Sequence, residues 1–225
     1  MPTATLSSND QRERTLLAAL LLSAWAPLAT GYAAFVNRSA TQIADLVRRS
    51  VELLALALAW GTFRRLRQGH DTAGAERKRL EGRVRLATGG AMVVSGVVIL
   101  LVAIVRTGAA AKPGNAWPGL IIAGLGLITN GYFWLRYRRL VRERHDAVIA
   151  SQRRLYAAKT LTDLGVLSSL AAAAALGGTT AGKAIDLAGS AVVAAYLLWS
   201  GVAERRRGED VGDAGDTGDA GAPAR

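Results

Sequence analysis

Four ionisable residues sit inside long apolar runs: Arg48, Glu52, Lys159 and Asp163. In each pair a base is followed four residues later by an acid. On an α-helix that spacing places both groups on one face, about 6 Å apart along the axis. Ionisable groups inside a membrane span are costly, and they mark either a functional path or a partner to be found. Two chemistries are open to this set. Ion pairs between helices would form a polar lock. Alternatively, Glu52 and Asp163 could bind and release cations or protons along a permeation path. Paired charges neutralise each other and leave little to offer a cation, which favours the lock.

Other chemistries are excluded by what the chain lacks. There is no cysteine, hence no disulfide, thiolate nucleophile or Cys-ligated zinc. The two histidines, His70 and His145, lie in basic segments between apolar runs, so no intramembrane His-based metal site is expected. No nucleophile–base set stands out, and we expect neither an enzyme nor a bound cofactor.

The elements that must carry these residues follow from composition. The chain is 51% hydrophobic yet 20% charged, with mean hydropathy +0.22. Long apolar runs alternate with short basic clusters. Six runs are long enough to cross a bilayer at roughly 20 residues each. They cover about 16–36, 41–63, 86–105, 117–135, 156–176 and 184–203. The expected fold is all-α: a polytopic membrane protein of six transmembrane helices. A polar tail (1–14) precedes the six-helix domain (15–204), and an acidic, Gly-rich, disordered tail (205–225) follows it. The first run contains Pro27 and Gly31, which membrane helices tolerate. It is long for a signal peptide, so we read a retained helix. The glycines of the fourth run (119, 124, 126 and 131) suit close helix packing. The basic stretch from Arg136 to Arg154 is expected to be helical and continuous with its neighbours.

Charge sets the topology. Of the 28 Lys and Arg residues, 21 fall on the side holding both termini, 4 on the other side and 3 within the spans. By the positive-inside rule both termini are cytoplasmic. The net charge of +11 is therefore assigned to membrane orientation and not to nucleic acid. Arg136, Arg138, Arg139, Arg142 and Arg144 read as anchoring to anionic lipid, with a partner-binding face as the alternative. The second and fifth helices run antiparallel. If they touch, Arg48 meets Asp163 and Glu52 meets Lys159 at matched depths. Pairing within each helix is less favourable, because the base precedes the acid. Asp45 and Arg49 are spaced in the better, acid-first order.

These residues carry a resemblance. The segment Gly31 to Glu52 holds a Gly, then Ser39-x-x-x-x-Ala44-Asp45, then Arg48-x-x-x-Glu52. It resembles the first-to-second helix junction of the cation diffusion facilitator (cation efflux) family. Lys159-x-x-x-Asp163 resembles that family's fifth-helix His-x-x-x-Asp segment. Asn130 and Asp186 sit where the family often has such polar residues. The likeness covers about residues 15 to 204 and implies a cation-efflux-like bundle in the plasma membrane. It also implies divalent cation/proton antiport through four ligands, two from each helix. Residue by residue those ligands fall on Arg48, Glu52, Lys159 and Asp163. Two of the four are cations, which borderline metals do not accept as ligands. No metal ligand is therefore assigned. We expect a scaffold whose metal site is replaced by ion pairs, so that metal transport is altered or lost. The alternative is a non-transporting membrane scaffold or partner protein. The expected partner is the lipid bilayer, with a divalent cation or proton as the transported species by resemblance. The family's His-containing loop is not recognisable around His70, and no soluble domain is expected after the last helix. The usual homodimer is thus left without support.

Overall fold

A computed structural model describes residues 8–37, 40–68, 74–108, 117–144, 146–176 and 179–216. Within these ranges some side chains, those of Asp45 and Asp186 among them, lie outside the described residues. So do both extreme termini, at 1–7 and 217–225. The described elements are six helices: α1 (Ser8–Asn37), α2 (Ala40–Gln68), α3 (Gly74–Gly108), α4 (Trp117–Glu143), α5 (Ala147–Leu176) and α6 (Thr180–Asp216). Each expected span lies within one of them.

Three helices, α1, α3 and α6, contain described stretches long and apolar enough to cross a membrane. Helices α2, α4 and α5 carry the charged and amide side chains of the interior instead. Large apolar residues point outward: Trp25, Leu21, Ile128 and Trp199 are all well exposed. Such apolar surface would be a liability in water and suits contact with lipid.

Every helix extends past its apolar run at the basic end, and two expectations are corrected there. Residues 8–14, read as part of a mobile tail, are the first turns of α1. The Arg12 side chain is buried (1% exposed) and donates to the carbonyl oxygens of Leu140 at 3.0 Å and Arg144 at 2.7 Å. These carbonyls end α4, where unpaired oxygens and the helix dipole favour a cation. Asp10 and Glu13 both pair with Arg67 of α2. At the other terminus, residues 205–216 continue α6 where a disordered tail was expected. Buried Glu204 and the packing of Gly208 against α3 hold that extension.

The basic stretch 136–154 is helical but not continuous. It breaks between Glu143 and Ala147, where Asp146 Oδ1 accepts the Ile149 amide at 3.1 Å. Asp146 thereby caps the N-terminus of α5.

The closest helix approach is α3 on α6, and it is built from glycine. Gly82, Gly89 and Gly96 recur every seven residues on α3, facing Gly208, Gly201 and Ala194 on antiparallel α6. A Cβ placed on Gly89 would lie 2.6 Å from the Gly201 carbonyl oxygen, and one on Gly201 would lie 2.7 Å from that of Gly89. The two backbones touch because no side chain intervenes. Close packing was expected of the fourth span. There Gly124 faces open space and Gly131 makes only ordinary contact with Thr160, whereas Gly126 lies against the Asp163 carboxylate.

The remaining helices pack around a core at the basic end. Leu16, Leu56, Phe63, Leu140 and Ile149 surround the rings of Phe133, Tyr137 and Tyr156. The three ring centroids lie 5.3 to 6.3 Å apart. This aromatic plug separates the basic end from the polar cavity described below. Gly89→Ala and Gly201→Ala are each expected to destabilise the protein by about 1–3 kcal/mol through overpacking. Gly90→Ala, with open space at its Cβ, should leave the thermal midpoint in detergent unchanged. Equal midpoints for Gly89→Ala and Gly90→Ala would remove the α3–α6 seam from the description.

Candidate functional site

Glu52 sits one helical turn beyond Arg48 on α2, and its carboxylate is buried (8% exposed). Both oxygens are engaged. Oε1 accepts from Arg48 Nη1 at 3.1 Å and from Ser95 Oγ of α3 at 2.8 Å. Oε2 faces Lys159 Nζ of α5 at 3.2 Å. The Lys159 ammonium also lies 5.0 Å from the centroid of the Tyr156 ring, whose negative face favours a cation. One carboxylate thus joins three helices.

The cross-helix pair Glu52–Lys159 is present at the expected depth. Among the described residues Arg48 and Asp163 do not pair directly. Arg48 turns along its own helix to Glu52, in the base-first order expected to be weaker. Asp163 Oδ2 instead accepts from Asn130 Nδ2 of α4 at 2.6 Å. Packing explains the exchange. Helix α4 lies more closely along α5 than α2 does, and Gly126 leaves room for the Asp163 carboxylate beside it. Weak i,i+4 order costs Arg48 little in water, but in a buried site a charge-assisted bond to Glu52 outweighs that preference.

These residues line one cavity of about 620 Å³ between α1, α2, α4 and α5. Arg48, Arg49 and Glu52 enter from α2, Asn130 and Thr129 from α4, and Lys159 and Asp163 from α5. Helix α1 adds Ser23 and Thr30 with an apolar rim of Leu22 and Trp25. Ser23 Oγ and the Tyr156 hydroxyl share a hydrogen bond of 3.0 Å at the floor. All four residues singled out by spacing therefore meet, together with Asn130. Asp45 and Asp186 have side chains outside the described residues.

Two partners were missed in the sequence. Ser95 is a lone hydroxyl in the apolar run Met92 to Leu101, and a polar group in such a run could have been matched to a buried carboxylate. Arg12 was assigned to the tail because its neighbours are polar. Among the described residues no group of three or more His, Cys, Asp or Glu side chains comes together as a metal site.

Removal of one partner should be asymmetric. Glu52→Gln removes the carboxylate that both Arg48 and Lys159 contact, and breaking a buried ion pair by removing one partner costs about 3–5 kcal/mol. Lys159→Met leaves Glu52 still held by Arg48 and Ser95, so it should lower the thermal midpoint less. A larger loss for Lys159→Met than for Glu52→Gln would contradict this charge arrangement.

No curated protein matches the chain. The family model described as the cation efflux transmembrane domain matches residues 16–207. The match reaches into all six helices and includes every residue that lines the cavity. With apolar helices able to cross a bilayer, this is a membrane protein of cation-transporter-like type. The chain belongs to the cation efflux family.

Proposed function

We propose that this chain is a multi-pass plasma-membrane protein built on the cation efflux scaffold, in which an ion-pair cluster replaces the divalent-metal site. The observation that carries the reading is the saturation of Glu52. Arg48, Ser95 and Lys159 occupy both of its oxygens. A divalent cation would have to displace two cations to reach it. Positions 48 and 159, which the family resemblance would make ligands, offer donors and positive charge where a metal needs lone pairs. Asp163 is the remaining carboxylate of the set, and one carboxylate with an amide is a poor cage for zinc or manganese.

On this reading, the metal/proton antiport implied by the resemblance is altered in this chain. Glu52 ties α2, α3 and α5 together, and the Asp163 carboxylate faces a cavity large enough for water and is the group left to exchange a proton. We propose no enzymatic activity for the chain.

Transport assays on the full chain in proteoliposomes test this. Zinc, manganese and cadmium are supplied with an imposed pH gradient. Wild-type flux should equal that of empty liposomes for all three metals. Saturable flux that Glu52→Gln and Asp163→Asn both abolish would mean that the carboxylates serve a metal path, and would overturn the replacement.

A further inference from the structure

A second concentration of charge lies outside the cavity, where α3, α5 and α6 meet at the basic end. Buried Glu204 of α6 pairs with Arg154 of α5, and Arg207 Nη1 lies 3.6 Å from the same carboxylate. Arg85 of α3 packs beside Gly208, with its Cβ 3.2 Å from where a Cβ of Gly208 would stand. Arg153 adjoins Arg154. Two guanidinium groups therefore contact one carboxylate, and Arg85 and Arg153 stand close enough for their charges to act on Arg154. Among the described residues neither Arg85 nor Arg153 has an acidic partner. Glu209 and Asp210, exposed further along α6, pair with none of the four. Arg85 Nε is buried and has no hydrogen-bond partner.

The crowding is felt by Arg154 despite its ion pair. Burial first, then the charges of Arg207, Arg85 and Arg153, lower its guanidinium from the ordinary arginine value to about 10. Such a cluster is poorly balanced by the protein alone. An anion with several acceptor oxygens would relieve it, and guanidinium groups match phosphate oxygens in bidentate geometry.

Depth selects the source of that anion. Arg85 stands immediately before the apolar run that starts at Leu86. Arg153 and Arg154 stand just before the run that starts at Tyr156, and Arg207 just after the one that ends at Ala203. Three helices deliver arginines to one level, the apolar boundary, where lipid headgroups lie. Exposed Trp199, two turns back along α6, marks the same interface.

We propose that Arg85, Arg153 and Arg207 form a site for the phosphate headgroup of an anionic phospholipid between the basic ends of α3, α5 and α6. The site differs from general attraction of a basic surface to acidic membranes. It requires these clustered arginines and not the exposed Arg138 and Arg139 on α4. Basic pockets between helices on the cytoplasmic side are suited to acidic headgroups.

The test uses the full chain in detergent micelles doped with phosphatidylglycerol or phosphatidylcholine, or with inorganic phosphate added instead. The readout is the thermal unfolding midpoint. Phosphatidylglycerol should raise the midpoint by several degrees over phosphatidylcholine, because a ligand of the folded state alone stabilises it. Arg85→Gln with Arg153→Gln should abolish that rise, and Arg138→Gln with Arg139→Gln should retain it. Should the first double variant fail to fold, Arg207→Gln, at a half-exposed side chain, should reduce the rise by itself. An equal rise with inorganic phosphate would overturn the lipid as source. Equal loss in both double variants, or an undiminished rise in Arg207→Gln, would overturn the site.

Discussion

A buried carboxylate must be compensated, and in this bundle Glu52 sets how the interior is arranged. Arg48 comes from its own helix, Ser95 from α3 and Lys159 from α5. Each is at hydrogen-bonding or ion-pair distance, so none can move far without exposing charge to a low-dielectric interior. The cluster therefore fixes the spacing of three helices. It also consumes the α2 carboxylate that lines the cavity and could have met a cation. What faces the cavity beside it is Asp163, hydrogen-bonded by the Asn130 amide.

The helices divide the remaining tasks. The glycine seam joins α3 and α6 backbone to backbone, leaving no space between them for solvent or ligand. The cavity opens instead among α1, α2, α4 and α5. Below it the packed rings of Phe133, Tyr137 and Tyr156 close the interior toward the basic end. Arg12 on the α4 carbonyls, with Asp10 and Glu13 on Arg67, fastens α1 to α4 and α2 at that same end. The cavity is thus lined by charge from α2 and α5 and by the apolar rim of α1.

Much of this could be read from residue types and spacing. Six apolar runs set the helix number. The four intramembrane charges pointed to one site because antiparallel α2 and α5 place positions 52 and 159 level. The exchange of partners at Arg48 and Asp163 was not legible. It depends on how closely α4 approaches α5, and no local pattern in either helix encodes that distance. The helical extensions at 8–14 and 205–216 were missed for a related reason. Their composition is polar and locally suggests a tail, whereas tertiary contacts through Arg12, Glu204 and Gly208 hold them as helix. The seven-residue glycine spacing was present in the sequence, but it acquires meaning only once α3 and α6 are known to be partners.

The most direct measurement is a zinc titration of the purified full chain by calorimetry, beside a variant carrying Arg48→His and Lys159→His. That variant restores lone-pair donors at both positions while keeping Glu52 and Asp163. If the ion-pair cluster has replaced a metal site, the wild type gives no saturable heat and the double variant binds zinc. Saturable zinc binding by the wild type that Glu52→Gln removes would contradict the replacement, because Glu52 would then be exchanging its cations for metal.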